Sequence, residues 1–137
     1  MFKTVLFPID QSRESREDAD LVTALVKTHN SKLIVLSVVE TPAGEGESSQ
    51  EGAMASPEAI AQLLETARNL FAQQGIAAEI IEREGIPAFI ICDVADEINA
   101  DLIIMGCRGL GLTEEGSSES VSSRVINLSP CPVLIVP

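Results

Sequence analysis

Short aliphatic runs recur along this chain, separated by polar or amphipathic segments. Five of the runs are too short for buried helices and are rich in Val, Ile and Leu, which is typical of strands buried on both faces of a parallel sheet. They predict strands over residues 2–9, 32–39, 76–83, 101–105 and 133–136.

Four segments between these strands place apolar residues on one helical face. Ser56-Pro57-Glu58 marks one helix start, since Ser caps, Pro suits the first helical position and an acid favours the helix dipole. Gly75 ends that helix. The four predicted stripes are Leu21, Val22, Leu25 and Val26; Ile60, Leu63, Leu64, Ala67, Leu70 and Phe71; Ile90, Ile91, Val94, Ala95 and Ile98; and Val121, Val125 and Leu128.

The alternation of strand and helix predicts an α/β fold with a parallel, doubly wound sheet. At 137 residues the chain fits one domain, spanning residues 1–137. Ligands of such sheets bind outside the carboxyl ends of the strands, where the strand order reverses. The places to search are therefore residues 8–10, residues 38–39 and the segment from Met105 onward.

Charge and composition exclude several classes of function. The net charge of −12 repels nucleic-acid phosphates and anionic membranes, so neither is an expected partner. The apolar runs fall far short of the roughly 20 residues that cross a bilayer, and the first residues do not resemble a signal peptide. Three cysteines, Cys92, Cys107 and Cys131, form no paired framework. These features predict a cytoplasmic protein in a reducing compartment.

A glycine-rich loop follows the fourth predicted strand. Its sequence, Gly106-Cys107-Arg108-Gly109-Leu110-Gly111, allows close approach of a ligand to the backbone, and the next helix offers free N–H groups to an anion. The same composition also suits a flexible connection, so both interpretations stay open. Residues 40–56 show no periodicity and predict an acidic loop.

Three segments together resemble the universal stress protein family over essentially the whole chain. They are Val-Leu-Phe-Pro-Ile-Asp at 5–10, Ile-Ile-Met-Gly-Cys-Arg-Gly at 103–109 and the run from Val121 to Val136. The resemblance implies a Rossmann-like, adenine nucleotide alpha hydrolase-like sheet in the order 3-2-1-4-5. It also implies a homodimer that pairs the edge strand formed by Val133, Leu134, Ile135 and Val136.

The nucleotide-binding branch of that family has two glycines separated by two residues, then, after nine more, a glycine followed by Ser or Thr. Gly106, Gly109 and Ser120 match this pattern, whereas Glu119 replaces the third glycine. By resemblance, ATP or AMP with magnesium is the candidate ligand, although no cofactor is certain. The implied nucleotide-binding residues are Pro8, Ile9, Asp10, Val38, Met105, Gly106, Arg108, Gly109, Ser120, Val121 and Ser122.

Glu119 opposes polyphosphate binding for two reasons. Its side chain occupies space that glycine leaves open. A carboxylate about 4 Å from a phosphate charge repels it by roughly 1–4 kcal/mol, against about 0.3–2 kcal/mol of attraction from a helix N-terminus. Glu119 is alternatively an acid favourably placed in the first turn of its helix, and Asp10 is alternatively the cap of the first helix.

The sequence contains few candidate catalytic residues. The single histidine, His29, is expected at the solvated end of the first helix, far along the chain from the predicted cleft. A Ser-His-Asp or Cys-His nucleophile would require it. Cys92 and Cys131 fall in apolar segments and are expected to pack as small hydrophobes, whereas Cys107 in the glycine-rich loop is either inert or reactive. Zinc and P-loop motifs are absent from the sequence, so no metal is expected.

The leading hypothesis is a homodimeric stress-response or regulatory protein with a degenerate adenine-nucleotide site, acting through unknown protein partners and not as an enzyme. The alternative is a true ATP or AMP sensor, in which residues 40–56 act as a lid. An autonomous hydrolase is a third, weaker hypothesis.

Overall fold

Five parallel strands form one sheet in the computed structural model, which describes residues 2–9, 14–40, 57–106 and 121–136. Its order is β3-β2-β1-β4-β5, which confirms the predicted order 3-2-1-4-5. The strands are β1 (Thr4–Pro8), β2 (Lys32–Glu40), β3 (Glu79–Gly85), β4 (Leu102–Gly106) and β5 (Val133–Val136).

Helices occupy the segments between consecutive strands. They are α1 (Glu14–His29), α2 (Pro57–Gln73), α3 (Pro87–Glu97) and α4 (Val121–Leu128). None of the helices within these described ranges is long and apolar enough to cross a membrane.

A left-handed residue follows each of the first three helices. Asn30 (φ 55°), Gly75 (φ 84°) and Asn99 (φ 55°) adopt the conformation that closes a helix. Just beyond them the N–H groups of Ser31, Ile76 and Ala100 each donate to a carbonyl five residues earlier, at 2.9 Å. Each of these three helices therefore ends in a Schellman motif, and Gly75 closes α2 as the sequence predicted.

The core consists of two apolar clusters, one on each face of the sheet. Successive strand residues alternate between them: Val5 and Phe7 join the cluster under α1 and α2, whereas Leu6 joins the cluster under α3 and α4. We call these the α1/α2 face and the α3/α4 face. Helices on both faces of a parallel sheet confirm the doubly wound, Rossmann-like architecture.

Some predicted details were wrong. Leu21 and Leu70, each 40 % exposed, lie outside the apolar stripes in which they were placed. The third strand begins at Glu79, because the buried Ile76 and Ala78 fill the core before strand pairing starts. The first strand begins at Thr4, since Phe2 has a φ of 58° and leaves the extended conformation.

Candidate functional site

All five strands are parallel, so their carboxyl ends share one edge of the sheet, which we call the carboxyl edge. The chain runs from β1 to β2 on one side, and β4 adds to the other side of β1. The strand order therefore reverses between β1 and β4, where crevices of such sheets bind ligands. The sequence predicted its candidate site at this edge.

Backbone pairing positions the strand ends around this crevice. The N–H of Ile9 donates to the carbonyl of Leu36 at 2.8 Å, which continues the contact of β1 with β2 beyond Pro8. On the other side Gly106, the last residue of β4, pairs in register with Val136. The ends of β1 and β4 are thus held by their neighbours, and the segments that leave them start from defined positions.

Seven of the predicted nucleotide-binding residues lie in the described part of the chain, and all seven are uncharged. Val38, Met105 and Val121 pack on the α3/α4 face, whereas Ile9 packs on the opposite face. The described set is Pro8, Ile9, Val38, Met105, Gly106, Val121 and Ser122. The structure therefore brings three of these side chains to one apolar cluster and does not bring Ile9 to it.

The predicted site residues in the described part of the chain differ in how far their side chains are buried. Met105 has no exposed surface and Ile9 is 5 % exposed, so both side chains belong to the core. Val38 and Val121 are half-buried and retain surface for a ligand. Ser122, 8 % exposed, lies in the first turn of α4. Among the described apolar residues of the predicted set, Val38 and Val121 are therefore the ones that combine core contact with exposed surface.

The more polar part of the predicted site falls outside the described residues. It comprises Asp10, Arg108, Gly109, Ser120 and the motif-breaking Glu119. Cys107 and the predicted acidic loop beyond Glu40 also fall outside them. The assignments of these residues stay predictions.

Gly85, the last residue of β3, also belongs to the carboxyl edge. It pairs in register with Glu40 at the end of β2, and its φ is 148°. A Cβ at this position would lie 2.8 Å from Cγ1 of Ile90, so the Ile90 side chain would have to move to accommodate it. The glycine before Ile86-Pro87 was the available signal of this close approach between β3 and α3.

His29 lies at the opposite end of the sheet. It ends α1, is exposed, and contacts the ring of Phe2 edge-on at a centroid distance of 5.3 Å. Phe2 precedes β1, so this contact marks the amino edge. The predicted position of His29 is confirmed, and the only histidine of the chain does not reach the carboxyl edge.

Cys92 and Cys131 both pack against the α3/α4 cluster and are half-buried, which is less than complete burial as core hydrophobes. Burial raises the pKa of both thiols. The Ser129 hydroxyl, 3.8 Å from the Cys131 sulfur, partly opposes the shift at Cys131. Both groups are therefore poorer nucleophiles than an ordinary exposed thiol at neutral pH.

A shallow groove of about 300 Å³ lies elsewhere, between α1 and α2. It is lined by Ala19, Asp20, Thr23, Leu70 and Gln74. None of these residues belongs to the carboxyl ends of the strands, so the groove is separate from the predicted site.

Comparison with known proteins decides the family. The model of the universal stress protein family matches residues 1–137, the whole chain. The chain belongs to this family. A universal stress protein from Synechocystis is 64 % identical over 138 residues, covering 100 % of this chain and 87 % of the relative.

Solved structures of universal stress proteins share the fold. One from Lactobacillus plantarum superposes with a TM-score of 0.81 at 20 % identity, covering 99 % of this chain and 98 % of its own. Another, a complex with cAMP, gives a TM-score of 0.78 at 26 % identity, covering 98 % of this chain and 97 % of its own. The latter shows that a structural neighbour of this universal stress protein holds an adenine nucleotide.

Proposed function

We propose that this universal stress protein is a homodimeric stress-response or regulatory protein with a degenerate adenine-nucleotide site at its carboxyl edge. It binds ATP weakly or not at all, and acts through protein partners in the cytoplasm without chemistry of its own. The observation that carries the proposal is the half-buried apolar surface of Val38 and Val121 beside the strand-order reversal.

The ligand class follows from that surface together with the cAMP-bound neighbour. An adenine ring gains from burying its faces against aliphatic side chains. The backbone at Gly106, where no side chain intervenes, suits the close approach of ribose. These features favour the base and sugar of an adenine nucleotide.

Weak binding of polyphosphate follows from Glu119, which replaces the third glycine of the nucleotide-binding motif. Glu114 and Glu115 lie in the same segment, where Arg108 is the single cation. Repulsion between a carboxylate and a phosphate at close range exceeds the attraction that one helix N-terminus supplies. The third and second phosphates of ATP therefore destabilise its complex.

The proposed dimer uses β5. This strand forms one edge of the sheet, and its four residues, Val133 to Val136, are uncharged and half-buried. An apolar edge with unpaired backbone groups is a template for pairing with another strand. In the proposed dimer, β5 of a second copy lies alongside this strand and forms hydrogen bonds with its unpaired backbone groups.

The absence of chemistry is proposed from the position of His29 at the amino edge and from the raised pKa of the Cys92 and Cys131 thiols. These groups are poor candidates for a nucleophile and its base at the carboxyl edge. Steady, magnesium-dependent hydrolysis of ATP by the purified protein would contradict this part of the proposal.

The test is calorimetric titration with ATP and AMP in the presence of magnesium, on the natural protein and on Glu119→Gly. We expect weak or undetectable ATP binding by the natural protein and stronger binding by the variant. Sub-millimolar ATP binding by the natural protein would favour the alternative, a true nucleotide sensor. Unchanged weak binding by Glu119→Gly would show that Glu119 is not what limits the site.

A further inference from the structure

The shallow groove between α1 and α2, which we call the α1/α2 groove, is lined by residues of both helices. Ala19, Asp20 and Thr23 lie one turn apart or less on α1, whereas Leu70 belongs to the last turn of α2 and Gln74 follows that helix. Its volume of about 300 Å³ is at the lower limit of small-ligand pockets. A shallow groove of this size encloses little of a free ligand, but it accommodates one long side chain presented by another protein.

The lining of the groove has an apolar part and a polar part. Ala19 is 4 % exposed and belongs to the core, whereas Leu70 is 40 % exposed and leaves much of its aliphatic surface open. Asp20, Thr23 and Gln74 supply a carboxylate, a hydroxyl and an amide, each with an oxygen that accepts hydrogen bonds. A side chain that fits both parts has an aliphatic stem and a polar end that donates hydrogen bonds.

The electrostatics of the groove favour a cation. Asp20 is exposed, and it is the charged residue among the five that line the groove. The carboxyl-terminal end of α2 adds partial negative charge. The last turn of this helix contains no basic residue, whereas the last turn of α1 contains Lys27 and His29. Lys27 lies one turn beyond Thr23 and does not line the groove. The polar end of a bound side chain should therefore carry a positive charge.

Arginine meets these requirements better than lysine. Its guanidinium group is planar, and it pairs with a carboxylate such as Asp20 through two parallel hydrogen bonds. It has further N–H groups for the amide oxygen of Gln74, and it is more weakly hydrated than an ammonium group. Its aliphatic stem covers apolar surface of the kind that Leu70 exposes.

We propose that the α1/α2 groove binds an arginine side chain of a protein partner. The inference gives the protein partners of the proposed function a contact surface and a chemistry, and it does not depend on the adenine site at the carboxyl edge. A single exposed ion pair contributes little affinity, so other contacts of the partner supply the rest. The partner therefore presents an exposed arginine within a larger interface.

The test is a titration of the isotope-labelled full chain with the peptide N-acetyl-Gly-Arg-Gly-amide at constant ionic strength, followed by amide chemical shifts. We expect saturable binding with a dissociation constant on the order of 5 mM. The shift changes should be concentrated in residues 19–23 and 70–74, which contain the lining residues.

Two matched peptides separate charge from shape. Citrulline in place of arginine keeps the shape of the side chain and removes its charge. Lysine keeps the charge but loses the planar arrangement of donors. Each peptide should bind at least about threefold more weakly than the arginine peptide, because each lacks one of the two features that the groove recognises.

Two variants test the polar part of the groove. Asp20→Asn keeps the size of the side chain and removes its charge, so the arginine peptide should bind about threefold to fivefold more weakly. Gln74→Glu adds a second carboxylate, so the peptide should bind about twofold more tightly. Both residues are exposed, so neither change disturbs the core. The matched control is Asp96→Asn, which removes an exposed charge from α3 and should leave the affinity unchanged.

The inference would be overturned if the citrulline peptide bound as tightly as the arginine peptide, or if Asp20→Asn and Gln74→Glu left the affinity unchanged. Binding of propylguanidinium, which has the same stem and charged group, without binding of the peptide would assign the groove to a small molecule and not to a protein. Failure of the peptide to bind at about 20 mM would also overturn the inference. The proposed adenine site would remain open to its own calorimetric test.

Discussion

The two outermost strands of the sheet, β3 and β5, differ in whether their side chains oppose pairing with another chain. At one edge β3 carries exposed Glu79, Glu82 and Glu84, and Arg83 is tied to Glu97 of α3. At the other edge β5 is Val-Leu-Ile-Val, with no charge and every residue half-buried. Charges on an edge strand oppose pairing with another chain, whereas an uncharged aliphatic edge favours it.

The difference supports the proposed dimer, because charges protect β3 from pairing with another chain whereas β5 has no such protection. A net charge of −12 opposes random association of copies, so pairing at β5 requires a specific interface. The proposed dimer surface at β5 is also distinct from the proposed ligand site, which lies at the carboxyl ends of the strands.

The largest expected effect is on association. Ile135→Lys places a charge in the middle of β5, and we expect its dimer dissociation constant to rise about 100-fold or more, because an unpaired charge is costly at a buried interface. The matched control is Ile80→Lys, at a half-buried position of the opposite edge strand β3. Sedimentation analysis should show a dimer for the control and a monomer for the β5 variant. Equal loss of dimer in the β5 variant and the β3 variant would contradict the distinction between these two strands.

A second effect concerns the end of β3. Gly85→Ala should lower the free energy of unfolding by about 1–3 kcal/mol, because its Cβ would overlap Ile90 and its φ of 148° is strained for Ala. Gly75→Ala, where φ is 84° but the space is open, should cost only about 1 kcal/mol. Urea denaturation measures both. A cost at Gly85 no larger than at Gly75 would contradict the close approach of β3 and α3.

A smaller effect is expected from the ion pair that joins β3 to α3. Arg83 and Glu97 are each about half exposed, so a double-mutant cycle with Arg83→Ala and Glu97→Ala should give a coupling below about 1 kcal/mol. The coupling should weaken further in high salt. A larger, salt-independent coupling would mean that the pair is shielded from solvent.

The smallest effect is on thiol chemistry. The raised pKa of Cys92 and Cys131 means that their alkylation at pH 8 should be slower than in the urea-unfolded chain. The protonated thiol is favoured in the fold, so the stability it contributes is complete below the unfolded pKa and is lost as pH rises through the folded value. Peptide mass analysis resolves each site. Equal rates for folded and unfolded chains at pH 8 would contradict the shift.

The strands and helices could be predicted from the sequence because aliphatic runs and amphipathic helical stripes have different periods. All five strands and the four helices lie close to their predicted places. Strand boundaries were less certain, since burial and pairing differ: Ile76 is buried without belonging to β3. The strand order came from family resemblance, because alternation alone does not specify which strands are neighbours.

The strand ends proposed to form the site could be predicted from the sequence, but the orientation of their side chains could not. Ends of parallel strands mark the edge where ligands bind, so Pro8, Val38 and Gly106 were placed correctly there. The sequence did not reveal that Ile9 and Met105 are core side chains on opposite faces, because a residue's face depends on strand register.

The most direct test of the contrast between the outermost strands β3 and β5 is hydrogen exchange followed by mass spectrometry at several protein concentrations. The account predicts that amides of β5 become more protected as concentration rises, because a second copy covers them, while amides of β3 exchange at a constant rate. Protection of β3 that grows with concentration, or β5 protection that does not, would contradict the account.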